Sequence, residues 1–233
     1  MKELIVHNSP KSPISEAYRG VRTNLLFANV DHNVKTILVS SATSSEGKTT
    51  TLCNLAMTLA DSGKTVIVVD CDLRKPRIHK FMDISNAHGV TDILLRGDHY
   101  SGYVHKGIHQ HLHVITSGKI PGNPSEIMNS DAMKLLMKTL REDYDYVLID
   151  SPPIVPVTDT VIMSTYIDRV LLVCASGSVD IDMAKKAKEK LEKVGAKILG
   201  VVLNKVKMNS RKYQYYYYYT SNKNENDKDK NKK

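Results

Sequence analysis

Short apolar runs rich in β-branched residues recur along the chain at Thr36–Val39, Val66–Val69, Leu112–Ile115, Tyr146–Ile149, Val170–Cys174 and Ile198–Leu203. Most are continuous and do not alternate with polar residues, which is how strands buried on both faces of a parallel sheet read. Helical spacing fills the intervals. Thr50–Ser62 runs into Gly63, Ile181–Val194 into Gly195, and Ser125–Glu142 carries Ile127, Met128, Leu135, Leu136 and Leu140 on one expected face. A further helix is expected over Ser15–Ala28, before the first strand. Strand and helix repeated in this way predict an α/β fold, a doubly wound, mostly parallel sheet flanked by helices, with right-handed crossovers. No internal repeat is visible.

The chemistry lies where strands end. Ser40-Ser41-Ala42-Thr43-Ser44-Ser45-Glu46-Gly47-Lys48-Thr49-Thr50 leaves one expected strand and opens a helix. In that context a Gly-Lys-Thr loop cradles phosphate, because backbone N–H groups and the helix N-terminus point at the anion. The contacts would come from Ser44, Ser45, Glu46, Gly47, Lys48, Thr49 and Thr50, with Lys48 on the outer phosphates of ATP and the Thr49 hydroxyl on Mg²⁺. Ala42 stands where such loops carry their first glycine, so this segment alone also fits a small-residue turn with a surface lysine. A second strand ends in Asp70-Cys71-Asp72-Leu73-Arg74, and a third in Asp150-Ser151-Pro152-Pro153. Ligands of open α/β sheets bind outside the carboxyl ends of the strands, so the carboxylates of Asp70, Asp72 and Asp150 there suit direct or water-mediated Mg²⁺ coordination beside a phosphate loop. Each Asp taken singly also fits a turn or a helix cap. All three signals in one chain specify a nucleotide site.

Composition narrows the alternatives. The 233 residues suit one core of ordinary size, 41% of them hydrophobic. No apolar run approaches the roughly 20 residues of a membrane-spanning helix, and none follows the first lysine as in a secretory signal. Cys53, Cys71 and Cys174 lie in apolar segments without paired spacing, as in a reduced cytoplasmic protein. The net charge is +8, but Lys205–Lys233 holds nine basic against three acidic residues, so the body is near neutral. That stretch also holds Tyr213, Tyr215, Tyr216, Tyr217, Tyr218 and Tyr219, six of the 12 tyrosines, and then Asn/Lys/Asp low complexity. Such a composition reads as a disordered tail over 207–233, behind a folded domain over 1–206.

These motifs in this order resemble the bacterial tyrosine kinases of capsule and exopolysaccharide assembly, P-loop proteins of the deviant Walker, partition-ATPase type. Asp70-x-Asp72-x-Arg74 is similar to the family's second Walker motif, and Asp150-Ser151-Pro152-Pro153 to its Walker B motif. Glu16, Arg19 and Arg22 match its Glu-x-x-Arg-x-x-Arg oligomerisation helix, Asn123-Pro124-Ser125-Glu126 a loop segment, and the terminal tyrosines its hallmark. One departure is Ser44-Ser45 in place of a frequent Pro-Gly.

The resemblance implies ATP-dependent phosphorylation of the tyrosine cluster in trans, with Mg²⁺ on Thr49, Asp72 and Asp150. It implies Asp70 as the base that takes the phenolic proton, Arg74 as a compensating charge, and Asn204 near adenine. A strand-end turn is the plain alternative for Asn204, and solvated pairing within the helix is that for Glu16, Arg19 and Arg22. The resemblance further implies a ring-shaped homo-oligomer, an octamer in the family, with each tail entering the next site. Phosphorylation is then expected to weaken docking and release the ring. A separate transmembrane activator of the polysaccharide co-polymerase type, a cognate tyrosine phosphatase and other protein substrates are implied as partners. Nucleic acid is not expected. The implied location is cytoplasmic, at the inner face of the membrane. The competing reading is a partition-type switch ATPase, but those relatives carry a lysine five residues before the loop lysine, where this chain has Thr43. His105, His109, His111 and His113 fit either surface histidines or a metal site.

Overall fold

The computed structural model describes residues 4–29, 34–178 and 180–207. Within them β1 (Thr36–Ser41), β2 (Val66–Asp70), β3 (His105–His109), β4 (Leu112–Ile115), β5 (Tyr146–Asp150), β6 (Arg169–Ala175) and β7 (Ile198–Asn204) form one sheet in the order β3-β4-β2-β5-β1-β6-β7. Every neighbouring pair is parallel except β3 with β4. This is the doubly wound, mostly parallel sheet expected from the apolar runs. β3, whose sequence is HKGIH, carries no apolar run because it is an antiparallel edge strand.

Alternate residues of the central strands feed two separate cores, as the period of two requires. Leu38, Ile67, Val69, Val147 and Ile149 face one side. Ile37, Val39, Val66, Val68 and Leu148 face the other. The second core is covered by α1 (Ile5–Asn8), α2 (Pro13–Ala28) and α3 (Lys48–Asp61). α3 lies between the sheet and α2, so nearly all of its residues are buried, among them Leu52, Leu55 and Leu59. α4 (Ile78–Met82) closes that core at one end. The first core is covered by α5 (Val90–Arg96), α6 (Pro124–Asn129), α7 (Asp131–Asp143), α8 (Asp159–Met163) and α9 (Ile181–Lys193).

The expected helix over Ser125–Glu142 is two helices. Ser130 is extended (φ −67°, ψ 151°), and its hydroxyl accepts from the Met133 N–H while donating to the Ile127 carbonyl. A serine that satisfies both ends competes with helix continuation. The break changes the phase of the apolar face: Met133, Leu136, Met137 and Leu140 point inward, and Leu135 is 64% exposed instead of buried. The helix before β1 starts two residues earlier than expected, where Ser12 accepts from the Ser15 N–H and Pro13 occupies the first turn. The short α1, α4, α5 and α8 have too few residues to show periodicity in sequence. All three cysteines are free thiols. Among the described residues no helix is long and apolar enough to cross a membrane. The tyrosines at 213 and 215–219 lie outside the described residues, as does nearly all of the expected tail.

Candidate active site

Three neighbouring parallel strands deliver the candidate residues. β1 runs into the loop before α3, β5 lies beside β1, and β2 lies beside β5, with Asp70 in register with Asp150. A parallel sheet brings all carboxyl ends to one edge, so the loop, Asp70-Cys71-Asp72 and Asp150 meet there.

Lys48 Nζ lies 2.8 Å from Asp72 Oδ2 and 3.3 Å from Asp150 Oδ1. The Thr49 hydroxyl donates to Asp150 Oδ2 at 2.7 Å. Burial works against charge on Lys48, but Asp150 and Asp72 outweigh it and hold the ammonium above its ordinary range. Asp150 is fully buried; desolvation lifts its carboxyl above the usual range even though Lys48 and Thr49 pull it down. Asp70 is also fully buried and is pushed up to about 8, first by desolvation and then by Asp150. Its Oδ2 accepts the N–H groups of Arg77 and Ile78 at 3.2 and 3.0 Å, while Oδ1 takes a long bond from the Asp72 N–H at 3.3 Å.

The loop is braced from within. Glu46 is almost buried; one of its oxygens accepts both the N–H and the hydroxyl of Thr43, and the other accepts the Ala175 N–H. Thr43 therefore serves the loop's own shape, where partition-type relatives would place a lysine. Ser45 is left-handed at φ 65°, a conformation natural to the glycine it replaces, and its carbonyl accepts the Lys205 ammonium at 2.7 Å. Asn204 Nδ2 donates to the Glu46 carbonyl at 2.9 Å, which puts the end of β7 against the loop. Ser44 is exposed beside Ser45, and Thr50 lies in the first turn of α3.

Arg74 stands slightly apart. Its guanidinium donates to both oxygens of Asp159, at 2.8 and 3.0 Å, and to the Ser125 hydroxyl at 3.1 Å. The Ser125 hydroxyl donates to Asp159 in turn. Asp159 is buried, which alone would raise its carboxyl, but Arg74 and Ser125 hold it below the usual range. Reasoning from sequence missed Asp159 and Lys205, since neither lies in a motif and only the fold brings them to the loops they hold.

Glu16, Arg19 and Arg22 lie on α2. Glu16 and Arg19 pair at 2.8 Å, Arg19 also donates to the Pro10 carbonyl, and Arg22 donates to the Thr58 carbonyl of α3. The histidines gather no metal site: no group of three or more ligating side chains occurs among the described residues. His113 hydrogen-bonds the Tyr144 hydroxyl, and His109 lies 3.5 Å from Asp61.

The hydroxyl of Thr49 and the carboxylates of Asp72 and Asp150 are hard oxygen donors gathered beside a phosphate loop, a set that fits Mg²⁺. A fold of this kind with such a loop defines a P-loop NTPase. The family profile described as "ParA: NUBPL iron-transfer P-loop NTPase" matches residues 32–232. Tyrosine-protein kinase YwqD of Bacillus subtilis (strain 168) is 40% identical over 208 residues, 89% of this chain and 88% of that protein. Among solved structures, the chimerical protein CapA2B2 superposes with a TM-score of 0.85 at 41% identity, covering 89% of this chain and 92% of that one. The kinase domain of the Escherichia coli tyrosine kinase ETK gives 0.84 at 30% identity, covering 89% and 82%. The chain is a ParA-type P-loop NTPase, and within that class it belongs to the bacterial tyrosine-protein kinases.

Proposed function

We propose that the chain is an ATP-dependent protein-tyrosine kinase that phosphorylates its own terminal tyrosine cluster in trans and regulates capsular or exopolysaccharide polymerisation and export. The observation that carries this reading is the convergence of Lys48 and Thr49 on Asp72 and Asp150, in a chain 40% identical to a tyrosine-protein kinase over nearly its whole length. Phosphoryl transfer needs positioning and charge neutralisation more than covalent chemistry. Ser44–Thr50 cradle the phosphates of ATP, Asn204 meets the base, and Lys48 offsets charge spreading over the transferring group. Thr49, Asp72 and Asp150 would hold Mg²⁺, which when bound would supply further neutralisation of phosphate charge. Arg74 adds a fixed positive charge anchored on Asp159.

The phenolic oxygen of a tyrosine attacks the γ-phosphorus. A new P–O bond forms, the bond to the bridging oxygen breaks and ADP leaves. The phenol, with a pKa near 10 in model peptides, gives its proton to Asp70 at Oδ1, the oxygen that is less engaged. Tyr213 and Tyr215–Tyr219 are the acceptors, reached in a homo-oligomer that uses Glu16, Arg19 and Arg22. The folded kinase domain ends near 206, and the remainder to 233 serves as the acceptor tail. A separate transmembrane activator brings the chain to the inner face of the membrane, and a phosphatase resets it.

The test is anti-phosphotyrosine detection after incubation with Mg²⁺ and ATP, with the activator segment added. Lys48→Met and a chain with Tyr213 and Tyr215–Tyr219 changed to Phe run beside the wild type. Loss of signal in both variants is expected; ATP hydrolysis without any wild-type signal would sink the kinase reading. Asp70→Asn that leaves transfer intact while Asp72→Asn abolishes it would remove Asp70 as the base.

A further inference from the structure

Two residues at the end of β7 grip the phosphate loop by its backbone carbonyls. Lys205 Nζ donates to the Ser45 carbonyl at 2.7 Å, and Asn204 Nδ2 donates to the Glu46 carbonyl at 2.9 Å. Lys205 is exposed, and the Ser45 carbonyl is its one side-chain partner among the described residues. Three non-glycine residues among those described have positive φ: Ser45 at 65°, Asp83 at 57° and Lys205 at 56°. Two of the three are the partners in this single hydrogen bond. Left-handed backbone is unfavourable for a residue with a Cβ, so both ends of the contact are held in a shape that their own stretch of chain does not favour.

A trans peptide is planar, and its C=O and N–H point in opposite directions. Lys205 draws the Ser45 carbonyl toward the end of β7, which turns the Glu46 N–H the other way. Asn204 does the same for the Gly47 N–H through the Glu46 carbonyl. No acceptor among the described residues takes either N–H. Positive φ at Ser45 and again at Gly47, at 93°, curves the stretch so that successive N–H groups face one concave side, a form that holds an anion. Were the peptide between Ser45 and Glu46 to turn over, a carbonyl oxygen would face that concavity and oppose a phosphate. Glycine enters left-handed backbone without penalty, whereas Ser45 must be held there. The Glu46 carboxylate does not hold it, being committed to Thr43 and Ala175.

We propose that Lys205 is a positioning residue for the nucleotide's phosphates: its ammonium fixes the Ser45 carbonyl on the β7 side of the loop and so keeps the Glu46 N–H aimed at the phosphate chain. This rests on the reading of Ser44–Thr50 as the cradle of ATP. Lys205 acts through the loop's backbone, unlike Lys48, which offsets phosphate charge directly. Its effect is therefore the same whatever base the phosphates carry. It also depends on one hydrogen bond to one carbonyl, so a cation elsewhere on the same segment does not replace it. Asn204, read as the residue near the base, holds the next carbonyl of the loop, and neighbouring residues of one strand end thus serve base and phosphates.

The test is calorimetric binding to the full chain of ADP with Mg²⁺ and, separately, of inorganic tripolyphosphate, which has phosphates and no base. Lys205→Met is expected to weaken both ligands by about tenfold, the size of one charge-assisted hydrogen bond. The melting temperature should not change, because the side chain is exposed. Lys205→Arg, which can reach the same carbonyl, is expected to restore most of both affinities. Lys207→Gln removes an equal charge at an exposed position two residues on and is expected to change neither. Should Lys205→Met melt early, Lys205→Gly removes the same ammonium where φ of 56° suits glycine. A loss confined to ADP would put the lysine at the base and overturn the proposal. So would undiminished binding by the Met and Gly variants, an Arg variant as weak as Met, or an equal loss in Lys207→Gln, which would mark a diffuse effect of charge. A wild type that binds ADP and not tripolyphosphate overturns it too, since the loop would then not hold phosphate by itself. A wild type that binds neither ligand ends the nucleotide reading and the role of Lys205 together. Binding is read without phosphotransfer, so an absent phosphotyrosine signal fails the kinase reading alone.

Discussion

Gly47 stands at φ +93° and ψ 24°, where the loop becomes α3, and a Cβ built on it would lie 2.1 Å from Asn204 Nδ2. Gly47→Ala therefore has two separable effects. A left-handed non-glycine residue costs about 1–2 kcal/mol. The Asn204 amide must also swing away, giving up its 2.9 Å bond to the Glu46 carbonyl, a loss of about 1 kcal/mol. The sum for Gly47→Ala is about 2–3 kcal/mol. Asn204→Ala alone loses only the hydrogen bond, about 1 kcal/mol. In the double variant that bond can be lost only once, so the total stays near that of Gly47→Ala and the two changes fall short of additivity by about 1 kcal/mol. Urea unfolding of the four proteins, with slopes held to the wild-type value, measures the cycle. Additivity to within about 0.3 kcal/mol would refute the displaced amide, and with it the contact between β7 and the loop.

Lys48→Met leaves Asp72 and Asp150 without their shared cation, and is expected to abolish phosphotransfer and to destabilise the chain by about 3–5 kcal/mol at neutral pH in chemical denaturation. The Asp159 carboxyl is held below its ordinary range by Arg74 and Ser125, so its stabilisation is complete above the unfolded value near 3.9 and is lost as pH falls through the folded one. The gap between the urea midpoints of wild type and Asp159→Asn should thus narrow below about pH 4; a gap constant from pH 7 to pH 3 would contradict the pairing. Ser130→Ala removes the cap of α7 and is expected to cost about 1 kcal/mol, read as a lower melting temperature with phosphotransfer retained.

Much of the fold was legible because parallel strands buried on both faces are apolar along most of their length. β1, β2 and β5 are buried throughout and appear in sequence as unbroken runs. β3, at an edge and partly exposed, has no such requirement and was missed. The break at Ser130 was missed for a different reason. Serine is tolerated within helices, and only its two hydrogen bonds show that here it ends one helix and starts another. Lys48, Thr49, Asp70, Asp72 and Asp150 were legible because each ends a strand, closely follows one or opens a helix, and strand ends are where such sheets place their chemistry. Arg74 was found through the family resemblance of its motif, but its partner Asp159 lies 85 residues further on, with nothing in the intervening sequence to link them.

By itself the sequence determined what is local or periodic: which segments are buried, where the phosphate loop turns into a helix, and which acids end strands. Those properties follow from side-chain type and spacing along one stretch of chain. Tertiary structure alone decided the strand order β3-β4-β2-β5-β1-β6-β7, which brings Asp70 beside Asp150 and both within reach of Lys48. It also decided that Asn204 and Lys205 hold the loop at Glu46 and Ser45, and that five cations from two separate segments, Arg74, Lys75, Arg77, Lys80 and Lys119, line one cleft. These depend on distances between residues far apart in the chain, and such distances are set by how strands and helices pack.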